Sequence, residues 1–161
     1  MNDALKLCQA FPALSLRKGQ TLIEEGARVD RLYVLERGKL EVVKSGVRIT
    51  ELREPGALVG EISAVLESNP TATVLAIEDC VVRVIDAASA TVRTRPELAL
   101  AIAQILARRL SALTSYVVDI KRQYADSDTH LGVMDKVIAS LITAHPNDEA
   151  AGSERSDVPD Y

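Results

Sequence analysis

The sequence has little of what metal-dependent and disulfide-stabilised proteins need. Its 161 residues include two histidines, two cysteines, one phenylalanine, four tyrosines and no tryptophan. His130 and His145 form neither an H-x-H nor an H-x-x-x-H pair, and the spacing of Cys8 and Cys80 fits no zinc motif. The chain also lacks a G-x-S-x-G nucleophile elbow and a P-loop. We therefore expect no enzyme, no metal site and no cofactor, and a core of aliphatic side chains.

Long apolar runs and an excess of positive charge are also missing. No uninterrupted apolar run approaches the roughly 18 residues that indicate a membrane-spanning helix. The first eight residues are too polar for a secretory signal. The formal net charge is −4, so no overall field attracts nucleic acid. We expect a cytoplasmic protein that binds neither membranes nor nucleic acid.

Short β-rich segments dominate the chain from Leu16 to about Asp86. Repeated glycine turns between short strands are typical of an all-β sandwich or a jelly-roll barrel. The turn glycines are Gly19, Gly26, Gly38, Gly46, Gly56 and Gly60.

One part of this region combines a glycine turn with a short helix and a β-run. It reads GEISAVL at residues 60–66 and, after a short gap, PTATV at residues 70–74. We predict a turn, one helical turn, a loop and then a strand. This arrangement directs backbone N–H groups toward one point, which allows a protein to hold a small phosphate group without a metal.

An uninterrupted helical segment is predicted from Pro96 to about Asp126. Proline and Glu97 suit the first turn of a helix. A helix of about 30 residues would be roughly 45 Å long, which is more than a domain of this size can cover. We therefore predict a homodimer through residues 96–126; the alternative is that the apolar stripe packs entirely on its own barrel. Residues of the stripe alternate in spacing between four and three, as in paired helices: Ala99, Ala103, Leu106, Leu110, Leu113, Val117, Ile120 and Tyr124.

After the long helix we predict a short appendage and then a tail. Residues 127–145 form a short C-terminal appendage with a helix at 131–142, and residues 146–161 are polar and acidic, as in a disordered tail. About 35 residues after the long helix are too few for a winged helix-turn-helix, so we expect no DNA-binding domain.

Over roughly residues 11–126 these segments resemble the cyclic-nucleotide-binding domain family. Residues 17–26, RKGQTLIEEG, resemble its opening strand, and residues 32–42, LYVLERGKLEV, resemble its next hairpin. Residues 107–110, ARRL, resemble the start of the long helix in the catabolite-activator branch. The resemblance implies a mainly β fold with flanking helices, a double-stranded β-helix (jelly-roll) barrel followed by a long C-terminal helix. Residues 1–126 would form this domain.

The resemblance also implies site residues. The backbone amides of Gly60, Ile62 and Ser63 would hold the cyclic phosphate, and Ser63 could add its hydroxyl. Glu61 would accept a hydrogen bond from the ribose 2′-OH. The alternative for Glu61 is a helix-start acid that interacts favourably with the helix dipole, by about 0.3–1 kcal/mol.

The following β-run would complete the site. Thr71 would reach the phosphate or a guanine base, and Ala72 and Thr73 would form the wall. Thr71 and Thr73 could equally be present as β-forming residues. Thr114 and Ser115 on the long helix could contact the base.

Pro70 departs from the family, which carries an arginine at this position. A charge-assisted hydrogen bond to phosphate contributes on the order of 1.5–3 kcal/mol, so its loss would weaken binding roughly 10- to 150-fold. The outcomes are weak cyclic-nucleotide binding, a less charged ligand or no ligand. Another arginine, such as Arg83 or one from the partner helix, could take its place.

We therefore expect a non-catalytic sensor or regulatory domain in signal transduction, with cAMP or cGMP as its ligand. Ligand-dependent repositioning of the long helix would change the surface offered to an unknown downstream protein. The alternative is a ligand-independent interaction module that kept the fold and lost nucleotide binding. Its partner surface would be the apolar stripe or the 131–142 helix.

Overall fold

The computed structural model describes residues 3–123, which form eight strands and four helices. The predicted appendage at 127–145 and tail at 146–161 lie outside the described residues. In chain order the elements are α1 (Asp3–Cys8), β1 (Ala13–Leu16), β2 (Thr21–Ile23), β3 (Arg31–Arg37), β4 (Leu40–Lys44), β5 (Val47–Leu52), β6 (Leu58–Val59), α2 (Glu61–Leu66), β7 (Thr73–Ala76), β8 (Cys80–Asp86), α3 (Ala88–Thr94) and α4 (Pro96–Gln123).

The strands form two antiparallel sheets of four strands each. The strand orders are β1-β8-β3-β6 and β2-β7-β4-β5. The predicted jelly-roll fold with flanking helices is confirmed. The hydrogen bonds leave the two sheets open, however, and do not join all eight strands into one closed barrel.

One hydrophobic cluster combines side chains from both sheets. Leu35 of β3 and Val82 of β8 come from one sheet, and Leu40 of β4 and Val74 of β7 come from the other. All four are buried, and each contributes about 1.5–3 kcal/mol relative to an exposed side chain. The aliphatic core expected from the lack of large aromatic residues is therefore present between the sheets.

A second cluster lies on the helical side of the first sheet. Leu32 and Val34 of β3 belong to it, whereas their neighbours Tyr33 and Leu35 belong to the cluster shared by the two sheets. Side chains of a strand alternate between its two faces. Strand β3 is therefore covered on both faces. The helices contribute Leu5, Cys8, Ala88, Val92, Leu98 and Ile102 to this second cluster.

Helix α4 begins at Pro96, as predicted, and extends to the end of the described residues. Its fully buried side chains are Leu98 and Ile102, one position before Ala99 and Ala103 of the predicted stripe. Ala103 is exposed and Ala99 is half-buried. The longer side chains remove more apolar area from water, which favours their packing against the core. The side chains that α4 packs on the core are therefore offset by one position from the predicted stripe, and the pairing of the stripe with a second chain stays a prediction.

The chain divides into two compact units, residues 1–107 and residues 108–161, and α4 contributes to both. In the described part of the second unit, Leu110 and Leu113 are 46% and 47% exposed. By length and composition, the segment Pro96–Ile120 is apolar enough to cross a membrane, with a mean hydropathy of 1.2. Core helices of other proteins meet the same criterion, so the expectation that the chain binds no membrane stays a prediction.

Candidate functional site

The residues singled out for phosphate binding begin at a tight glycine turn between β6 and α2. Gly60 has a φ of +87°, in the left-handed region that favours glycine. A Cβ at this position would lie 2.7 Å from the carbonyl oxygen of Arg31, which is too close for any side chain. Glycine is therefore required both by the backbone angle and by the approach of β3.

The glycine turn leads directly into the amide-rich end of α2. The amide of Ala64 donates to the carbonyl of Gly60 at 3.0 Å, which is the first hydrogen bond of the helical turn. The amides of Ile62 and Ser63 come before it and have no acceptor within the helix. Together with the helix dipole they can stabilise a negative charge.

The side chains of this turn face different surroundings. Glu61 and Ser63 are buried, with 4% and 9% of their surface exposed, whereas Ile62 is 42% exposed. An acid that acts only on the helix dipole gains nothing from burial, since burial of a carboxylate is costly. Glu61 already has an interaction partner in the protein, and its contact with a ribose stays a prediction.

The second half of the predicted site meets the first half at Ile23. Ile23 pairs with Val74 in the β2–β7 ladder. Its Cδ1 atom lies 3.4 Å from the position that a Cβ of Gly60 would occupy. Ile23 therefore lies next to both the glycine turn and the start of β7.

The loop between β2 and β3, residues 24–30, is attached to this second half. The amide of Gly26 donates to the carbonyl of Pro70 at 2.8 Å. The amide of Glu25 donates to Oγ1 of Thr73 at 3.0 Å. The hydroxyl oxygen of Thr73 thus already has a structural partner, which supports the structural alternative for this residue. Sequence patterns did not indicate these contacts, because they join segments about 45 residues apart.

The remaining predicted residues differ in exposure. Thr71 is exposed, Ala72 is half-buried, and Pro70 is buried. Thr114 and Ser115 lie on α4 in the second compact unit, where Oγ1 of Thr114 donates to the carbonyl of Leu110 at 2.9 Å. Their contact with a base stays a prediction.

Arg83 is committed to a structural role. Its Nε donates to Oε2 of Glu36 at 2.6 Å, and its Nη1 donates to the carbonyl of Phe11 at 3.1 Å. Arg83 pairs with Val34, whose side chain packs in the helix-side cluster. Directly paired residues of antiparallel strands share a face. Arg83 therefore points away from the space between the sheets, and these contacts do not support it as a substitute for the family arginine.

A cavity of about 440 Å³ lies at the far end of β3 from the glycine turn. None of the predicted site residues lines it. Burial raises the pKa of the Cys80 thiol at its wall. Among residues 3–123, no group of three or more His, Cys, Asp or Glu side chains could hold a metal ion. The lining residues are Ser15, Leu16, Arg17, Arg37, Gly38, Glu78, Asp79, Cys80 and Val81.

Residues 13–91 match the family model described as the cyclic nucleotide-binding domain. A cGMP-dependent protein kinase of Caenorhabditis briggsae is 32% identical to this chain over 82 residues. The aligned part makes up 51% of this chain and 11% of the kinase. The chain therefore spans about a tenth of the length of this curated relative.

Two solved structures extend the comparison. A variant of the cAMP-binding acyltransferase from Mycobacterium smegmatis is 28% identical, with a TM-score of 0.53 over 68% of this chain and 36% of that chain. The catabolite activator protein from Thermus thermophilus is 21% identical, with a TM-score of 0.57 over 88% of this chain and 84% of that chain. At 21% identity, the similarity to the catabolite activator protein concerns the fold alone.

Proposed function

Since residues 13–91 belong to the cyclic nucleotide-binding domain family, we propose that this chain is a non-catalytic sensor that binds cAMP or cGMP. The observation that carries the proposal is the start of α2. There a glycine turn, two amides without acceptors in the helix and a buried carboxylate occur in four consecutive residues. The similar kinase is named as cGMP-dependent and the similar acyltransferase as cAMP-binding, which supports both candidate ligands.

In the proposed complex, the cyclic phosphate lies at the amides of Ile62 and Ser63. Glu61 accepts a hydrogen bond from the ribose 2′-OH, and Thr71 lies beside the phosphate. The chemistry is recognition only: main-chain dipoles stabilise the phosphate charge, and a carboxylate selects a sugar that carries a free hydroxyl.

The affinity is lower than that of a site with the family arginine. Pro70 is buried and has no charge, so the neutral amides must stabilise the phosphate without a guanidinium from this position. A missing charge-assisted hydrogen bond corresponds to about 1.5–3 kcal/mol. Titrations should therefore extend to millimolar ligand.

The output of the sensor is carried by α4. Leu110 and Leu113 are both about half exposed and continue the heptad spacing of the predicted stripe. They support a homodimer through this helix. A ligand that favours one position of α4 would change the surface that the dimer offers to a downstream protein.

Isothermal titration calorimetry with cAMP and cGMP tests the proposal. Glu61→Gln should weaken cAMP binding by on the order of 10-fold or more, because an ionised acceptor is replaced by a neutral amide. The same substitution should change the affinity for 2′-deoxy-cAMP much less, since that ligand has no 2′-OH. No heat and no thermal shift at millimolar concentrations of either nucleotide would refute the sensor and favour the ligand-independent interaction module.

A further inference from the structure

We infer that Arg28, in the loop between β2 and β3, supplies the positive charge that Pro70 cannot provide to a bound cyclic phosphate. This inference rests on the proposed function. It concerns a ligand contact made by a segment that sequence reasoning did not connect with the site.

The loop that carries Arg28 is fixed to the site at both of its ends. At its beginning, the amides of Glu25 and Gly26 bind Thr73 and Pro70 at 3.0 and 2.8 Å. At its end, the carbonyl of Arg31 lies against Gly60. Arg28 therefore stands between contacts to the two halves of the site.

Three other charged side chains near this loop are already paired. Oε2 of Glu25 accepts from the amide of Ser45 at 2.9 Å. Oδ1 of Asp30 accepts from the amide and hydroxyl of Ser89 at 2.9 and 2.8 Å. Nε of Arg31 donates to Oδ1 of Asp86 at 2.7 Å.

Arg28 differs from these residues. Its side chain is exposed, and within residues 3–123 the structure gives it no hydrogen bond and no ion pair. An arginine without a protein partner can turn toward a ligand without breaking an existing contact. Its planar guanidinium presents two parallel N–H donors, which match two oxygens of a phosphate.

The distance to be covered is short. Two residues of fully extended chain span at most about 7 Å, so the Cα of Arg28 lies within about 7 Å of the Cα of Gly26. The amide of Gly26 is itself 2.8 Å from the carbonyl of Pro70. A long and flexible arginine side chain can therefore bring its charge to the position that the family arginine would occupy.

The test compares Arg28→Gln with Arg17→Gln in the full chain, by calorimetric titration with cAMP at several NaCl concentrations. Arg17 is a matched control, because it is also an exposed arginine in a turn and lines the distant cavity. Arg28→Gln should weaken binding about 10-fold, and Arg17→Gln should change it less than twofold. The affinity of Arg28→Gln should also fall less steeply with salt than that of the wild type.

Each outcome decides the inference. An unchanged affinity of Arg28→Gln overturns the role of Arg28 and leaves the proposed function intact. Equal losses in both variants indicate an effect of total charge and also overturn it. If the wild-type chain binds no cyclic nucleotide at all, the proposed function fails, and the inference fails with it. Equal thermal unfolding midpoints for both variants and the wild type exclude misfolding as the cause of a loss.

Discussion

Replacing Pro70 by arginine should strengthen cyclic-nucleotide binding. The carbonyl of Pro70 receives the amide hydrogen of Gly26 at 2.8 Å, and an arginine at this position keeps that carbonyl. The attachment of the loop therefore survives the substitution. Residue 70 is buried and Thr71 is exposed, so the new guanidinium must leave the buried position to reach a phosphate at the start of α2.

The expected magnitude follows from the contact that is gained. A charge-assisted hydrogen bond to phosphate contributes about 1.5–3 kcal/mol, which corresponds to a roughly 10- to 150-fold lower dissociation constant. Loss of the proline costs about 0.4–1 kcal/mol of folding stability by freeing the unfolded chain. That cost applies equally to the free and the bound protein, so it lowers the unfolding temperature and not the affinity.

Calorimetric titration with cAMP and cGMP measures the effect, and Pro70→Gln is the matched control. The control also removes the proline and adds a side chain of polar atoms, but it brings no charge. Because Arg28 already supplies one guanidinium in the inferred complex, the full gain is expected in the Arg28→Gln background, where arginine at position 70 should exceed glutamine by at least about 10-fold in affinity. Equal affinities for the two variants would show that the missing guanidinium is not what limits binding, and the reasoning about position 70 would be refuted.

Two further predictions concern the glycine turn and the long helix. Gly60→Ala should lower the free energy of unfolding by more than about 2 kcal/mol in urea titrations, whereas Gly46→Ala, which has a φ of +77° but no atom within 4 Å of its Cβ position, should cost about 1 kcal/mol. Equal losses would contradict a role for the close approach of Arg31. Leu113→Asp should shift a dimer toward monomer in sedimentation experiments, while Ala112→Asp, off the stripe, should not. A wild-type chain that sediments as a monomer at micromolar concentrations would rule the dimer out.

The sequence patterns were sufficient for the jelly-roll fold and for the start of the long helix. Turn glycines and helix-start residues act locally, so they can be read without knowledge of the fold. Helix α3 was missed because Thr91 and Val92 are β-branched and have low helix propensity. It forms because Ala88 and Val92 pack in the helix-side cluster, and tertiary packing overrides weak propensity.

Other features depend on contacts between distant segments. The attachment of Gly26 to Pro70 is made by backbone atoms, which leave no trace in residue type. The commitment of Arg83 to Glu36 also requires knowledge of which strands are neighbours. For the same reason, the sequence suggested Arg83 as a replacement cation, whereas the inferred replacement is Arg28.

The hydrogen bond between Gly26 and residue 70 joins only main-chain atoms, so the side chain at position 70 can change during evolution without separating the two segments. Successive substitutions can then move the positive charge from the segment that carries residue 70 to the loop that carries Arg28, while the backbone contacts persist. A homologue with another uncharged residue here need not have abandoned its ligand. A basic residue in its loop between β2 and β3 should be sought before such a homologue is considered unable to bind a ligand.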